Sequence, residues 1–159
     1  MSKSVTARWS SGLDFTTESV DGGHVQMAGD EGVEGYRPSA LLLAALAGCT
    51  AMDVISIIRK KQLAVDAYEV HATGEQRETH PRTFSTIRVE HRVRGTAIDA
   101  ASVARAIGLS ATRYCPVTAH LAMGDVTITH AYVISGDGDE RRADVVNTGP
   151  AGRGLAPPA

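Results

Sequence analysis

Aromatic side chains are scarce: one Trp, two Phe and four Tyr make 4% of 159 residues. A core of Leu, Ile, Val and Ala is therefore required. Neither sign of charge is in excess, since 16 basic and 18 acidic residues leave a net −2. That balance lacks the basic surface a nucleic-acid or anionic-membrane partner demands, and neither is expected. Two cysteines cannot build a disulfide scaffold, and no CxxC is present. The six histidines form no HxxxH pair, so no metal is expected. No P-loop or dinucleotide fingerprint occurs, and "GLSAT" is not a nucleophile elbow. "MSKSVTARWSSG" has no apolar signal-like core, and no run reads as 18 uncharged apolar residues. The expectation is a cytoplasmic protein whose thiols are reduced and whose disulfides, if formed, are transient. A chain this long is one ordinary domain that folds without a staple.

Between residues 5 and 28, "VTARW", "LDFTTESV" and "HVQMAG" read as strands split by Ser-Gly and Asp-Gly-Gly turns. A Gly-rich acidic loop follows, and Pro38 opens a helix, where its missing N–H costs nothing. That helix runs to about Gln62, roughly 36 Å at 1.5 Å per residue. Its stretch from Leu41 to Ala47 is apolar on every face, which calls for burial on every side. One domain of this size cannot easily surround such a rod, which points to burial between two subunits, with a core helix in a monomer as the alternative. Residues 65–76 and 83–95 read as antiparallel strands, with Ile87, Val89, His91 and Val93 on one face of the second. Residues 96–115 read as a helix capped by Asp99, with Val103, Ala106, Ile107 and Ser110 on one stripe. A short helix from Pro116 to Gly124 and a strand, "DVTITHAYVI", complete the domain, bounded at 1–135. Residues 136–159 lack apolar periodicity and read as a disordered tail.

The two thiols carry the chemical question. Cys49 sits mid-helix after Gly48, a residue costing about 1 kcal/mol there relative to Ala. The expected compensation is close approach of another element. Asp53 is one turn on from Cys49 and needs a partner, with Arg59, Arg113 or a group on another chain as candidates. Cys115 precedes Pro116 and falls at a helix N-cap, a position that favours thiolate. The plain alternative is that both are small buried hydrophobes. His24, His71, His91 and His130 fit as strand residues and His120 as a helix residue.

Together, "RPSALLLAALAGCTAMDVISIIRKKQ" and "LSATRYCPVTAHL" resemble the OsmC/Ohr family, the osmotically induced and organic hydroperoxide resistance proteins. The resemblance spans about residues 5–135 and rests on the Pro38-to-Cys49 interval together with "CPVT". It implies an α+β fold of antiparallel sheets around a long buried central helix, in an intertwined homodimer. It further implies that Cys49 is the peroxidatic and Cys115 the resolving cysteine. The substrate would be an organic hydroperoxide, with no bound cofactor and an external dithiol, of lipoyl type, as reductant. The peroxidases carry Glu directly after the helix-opening Pro, where this chain has Ser39. Arg37 and Glu34 are the residues placed to support the thiolate instead, with Ser39, Asp53 and Pro116 around the pocket.

Overall fold

The structure, a computed structural model, describes residues 2–136 and 138–150. The chain forms two compact units, Met1–Leu42 and Leu43–Ala159. The first holds β1 (Val5–Ser11), β2 (Asp14–Ser19) and β3 (His24–Met27), an antiparallel meander in the order β1-β2-β3. Its turns fall where the Gly signals stand, and Gly12 and Gly22 adopt positive φ there. Beyond β3 the chain loops back, and Tyr36 bridges to Met27 just before helix α1 (Pro38–Lys60) begins.

The second unit contains α1 from Leu43 onward and a four-stranded sheet, β4-β5-β6-β7. Its strands are β4 (Val65–Gln76), β5 (Phe84–Gly95), β6 (Thr127–Gly136) and β7 (Asp139–Thr148). Between β5 and β6 lie α2 (Ala100–Leu109), a single π-helical turn (Ser110–Tyr114) and α3 (Pro116–Ala122). This helical crossover makes the β5–β6 pair parallel, with Val89 opposite His130 and His91 opposite Tyr132. The α+β class holds, and the second sheet is mixed rather than wholly antiparallel.

Local chemistry explains the boundaries. Asp99 caps α2, its carboxyl oxygens accepting from the Ala101 and Ser102 N–H groups at 3.3 and 2.9 Å. Ile87, Val89, His91 and Val93 are all buried on one face of β5, as the alternation requires. Val103, Ala106, Ile107 and Ser110 are buried together on α2 and the turn after it. Two apolar clusters result. One joins Val54 and Ile58 of α1 to Val93, Ile98, Val103, Ala106, Ile107 and Ile134. The other joins Leu46 to Phe84, Ile87, Val89, Cys115, Val126 and Ile128. Phe84 is the one aromatic buried in either cluster, as the composition demands.

Three expectations need correction. The first concerns α1, whose buried residues in the single chain are Leu46, Thr50, Val54 and Ile58, with Met52 69% exposed. Residues spaced by four lie on one face of a helix, and these four form the centre of that face. By length and composition α1 is also apolar enough to cross a membrane, contrary to the reading that no segment is. A single charge, Asp53, interrupts its apolar run. Second, a side-chain carbon built on Gly48 meets nothing within 4 Å, so the close approach expected there is not made among the described residues. Third, residues 139–148 are not a disordered tail but β7, paired antiparallel with β6. Its side chains lack apolar periodicity because the ladder to β6, rather than burial, organises Asp139–Asp144. Val145 alone reaches the first cluster. Gly149 ends the strand at φ +100°, where an added Cβ would collide with the Val126 carbonyl. The remainder of the expected tail, 151–159, lies outside the described residues, as does Asp137.

Candidate functional site

The helical register of α1 sets Cys49 and Asp53 on the same face, one turn apart. Cys115 reaches them by a different device. Pro116 disfavours helical backbone in the residue before it, and Cys115 is extended, at φ −73° and ψ 106°. The π-helical turn closes with the Cys115 N–H donating to the Ser110 carbonyl at 2.9 Å. Cys115 then caps α3, its Sγ accepting from the Thr118 N–H at 3.3 Å. The N-cap assignment read from Cys-Pro therefore holds.

The outcome is a compact constellation. One ligand atom each from Cys49, Asp53 and Cys115 lies within 4.8 Å of the others, although 66 positions separate the two cysteines. Both thiols are free. Cys115 is 3% exposed and belongs to the second apolar cluster, with Leu43, Val70, Val117, Leu121 and Cys49 packed around it. Asp53 finds neither Arg59 nor Arg113. It accepts from the Ser110 hydroxyl at 2.9 Å, while Arg113 lies over the Tyr114 ring, 5.8 Å from its centroid. Ser110 is thus part of the site. Its signal in the sequence was only its place on the buried stripe of α2.

Burial is the largest influence on the Cys49 thiol, followed by its hydrogen bond with Cys115. With Asp53 adding a smaller push, these carry its pKa up to about 12 despite the Val117 N–H directed at the sulfur. Among the described residues, the influences on this thiol include no cation. Arg37 and Glu34, expected to support the thiolate, lie in the first unit. There the Arg37 guanidinium donates to the Asp30 carbonyl at 3.3 Å, and Glu34 is exposed. Ser39 is the second residue of α1. Pro116 is the first residue of α3, beside Cys115.

Beneath α1 lies a polar feature that sequence reading missed as a group. His91 and His130 are fully buried on adjacent strands. The His91 Nδ1 shares a hydrogen bond with the Tyr68 hydroxyl at 2.7 Å. The His91 Nε2 and both ring nitrogens of His130 have no partner among the described residues. Burial, and for His91 also the neighbouring His130, lowers their pKa values to about 3 and about 4. Burial, then Asp53, raises that of Tyr68.

Known proteins are similar to this chain in sequence and fold. Protein YhfA of Escherichia coli strain K12 is 40% identical over 127 residues, which is 80% of this chain and 94% of its own. A structure from structural genomics is 38% identical, covering 82% of this chain and 97% of its own with a TM-score of 0.75. An organic hydroperoxide resistance protein OsmC from Legionella pneumophila is 13% identical, covering 86% of this chain and 98% of its own with a TM-score of 0.63. At that identity the likeness speaks for the fold alone. The family model described as OsmC-like protein matches residues 29–131, a span that carries α1 with Cys49 and the crossover with Cys115. By that match, and by a relative at 40% identity, the chain belongs to the OsmC-like protein family.

Proposed function

We propose that this protein is a cytoplasmic, homodimeric thiol peroxidase acting on organic hydroperoxides in oxidative-stress defence. The observation that carries the reading is the meeting of Cys49 and Cys115 in an apolar setting, with sulfurs within 4.8 Å. Leu46 shares a cluster with Cys115, and Leu43, Val117 and Leu121 pack against that cluster with Cys49, a setting that suits an alkyl peroxide better than hydrogen peroxide. The Cys49 thiolate attacks the O–O bond of ROOH. An S–O bond forms, the O–O bond breaks, and the alkoxide leaves as ROH after taking a proton. The Cys115 sulfur then attacks the Cys49 sulfenic acid, so that the S–S bond forms, the S–O bond breaks and water departs. An external dithiol of lipoyl type reduces the disulfide and is itself oxidised. Arg37, with Glu34 close to it in sequence, is assigned the support of the thiolate in the dimer. The exposed apolar face of α1 around Met52 is assigned to the second subunit.

A second reading has its own observation. With Ser39 after Pro38 and the Cys49 thiol pushed up to about 12, only a minute fraction of Cys49 is nucleophilic at neutral pH. In that case the dimer has kept the fold without the turnover, binding a small apolar ligand or holding inert thiols. Counting free thiols before and after one equivalent of cumene hydroperoxide separates the two. Loss of two thiols per chain within seconds, restored by dihydrolipoamide, supports the peroxidase. Intact thiols leave the second reading.

A further inference from the structure

The Cys49–Asp53–Cys115 constellation has a second chemical capacity, independent of peroxide turnover. Two sulfurs and a carboxyl oxygen converge to within 4.8 Å, and among the described residues the groups acting on the Cys49 thiol include no cation. Ligand atoms of a tetrahedral zinc shell, at about 2.3 Å for sulfur and about 2.1 Å for oxygen, lie roughly 3.6–3.8 Å apart. A small inward rotation of the side chains reaches that spacing. The ligands are already held from behind. Ser110 Oγ donates to Asp53 at 2.9 Å, and the Thr118 N–H donates to the Cys115 sulfur at 3.3 Å. Such outer contacts orient ligands and tune their affinity.

We infer that Cys49, Asp53 and Cys115 form a site for a thiophilic divalent cation of the zinc class, with the fourth tetrahedral position open. The S2O donor set suits Zn2+ and disfavours Mg2+ and Ca2+, which require oxygen shells. Binding replaces two S–H protons by the metal, so that Zn2+ plus two thiols gives a bis-thiolate and two H+. Affinity therefore rises with pH. No electrons move in this step. The metal ties up both sulfurs, so the loaded site is protected from alkylation and oxidation.

The test uses the reduced full chain, stripped with a chelator and titrated anaerobically with Co2+, then with competing Zn2+. One Co2+ per chain is expected, with a sulfur-to-cobalt charge-transfer band that Zn2+ abolishes. Cys49→Ser and Cys115→Ser should each weaken the band and lower affinity at least tenfold. Asp53→Asn should keep the sulfur band but bind at least tenfold more weakly. Ser110→Ala should lose roughly 10–100-fold through misorientation of Asp53. As a check that needs no variant, Zn2+ should slow iodoacetamide labelling of both thiols in the unaltered chain. No stoichiometric band, no protection, a band unchanged in Cys49→Ser, or an affinity unchanged in Asp53→Asn would each overturn the site. Peroxide-driven thiol loss in the metal-free protein is read separately. Zinc binding without turnover sinks the peroxidase alone, and turnover without binding sinks the metal site alone.

Discussion

Lowering the pH from 7 to 5 places protons on the unfolded chain at two positions where the folded chain resists them. His91 and His130 titrate near 6.5 when exposed, but at about 3 and about 4 in their buried sites. Below pH 6.5 the unfolded state binds more protons than the native state, so stability rises with pH and is lost on acidification. The window runs from about 6.5 down through about 4 and then about 3. At pH 5 each histidine is some 1.5 units below its unfolded pKa and still uncharged when folded. At about 1.36 kcal/mol per unit this costs about 2 kcal/mol for each, or about 4 for the pair. That is a large share of a typical 5–15 kcal/mol. The groups at this pair are the Tyr68 hydroxyl on His91 Nδ1 and the other imidazole. The capping carboxyl of Asp99 is held below the usual carboxylate range by Ser102, so it adds nothing between pH 7 and 5. Urea unfolding at both pH values, at one protein concentration and with reductant present, measures the loss. His130→Leu should remove about half of it. It also deletes two ring nitrogens that have no partner among the described residues, so stability at pH 7 should hold or rise. An acid loss in His130→Leu equal to that of the unaltered chain would refute the assignment to the buried pair.

Three further expectations concern other parts of the molecule. Cys49→Ser should abolish hydroperoxide reduction, whereas Cys115→Ser should leave a sulfenic acid on Cys49 that dimedone traps and excess peroxide over-oxidises. Full activity in both variants, followed by peroxide consumption, would refute this assignment of roles. Met52 is 69% exposed on the apolar α1, so Met52→Asp should convert a dimer into monomers in sedimentation velocity. A dimer that persists unchanged would place the interface elsewhere. Asp99 accepts two backbone N–H bonds at the start of α2, and Asp99→Ala should cost about 1 kcal/mol in urea unfolding. An unchanged midpoint would show that the cap contributes nothing.

Much of this protein was legible in the chain because its signals are local. Pro38, the Asp99 cap, the Ile87–Val93 alternation and the Val103–Ser110 stripe each depend on residues a turn or a pleat apart. Sequence alone therefore placed α1, β5 and the start of α2, but ran that helix on to residue 115, where the structure ends it at Leu109 and turns π-helical. The extended backbone that Pro116 favours at Cys115 is equally local, and it made that residue an N-cap before any fold was known. What lay beyond reach depends on partners distant in sequence. Strand β7 exists because the edge of β6 was open to it, and its own side chains carry almost no pattern. The partner of Asp53 is Ser110, 57 positions away, where charge pairing had suggested an arginine. His91 and His130 each read as ordinary strand residues, and only the parallel β5–β6 register set them side by side in the interior. The sequence by itself determined the helices and the strands other than β7, and which thiols exist. Tertiary structure decided that two cysteines and an aspartate, set 66 positions apart at the extremes, share one place, because the chain returns through α2 and the π-helical turn to the helix it had left.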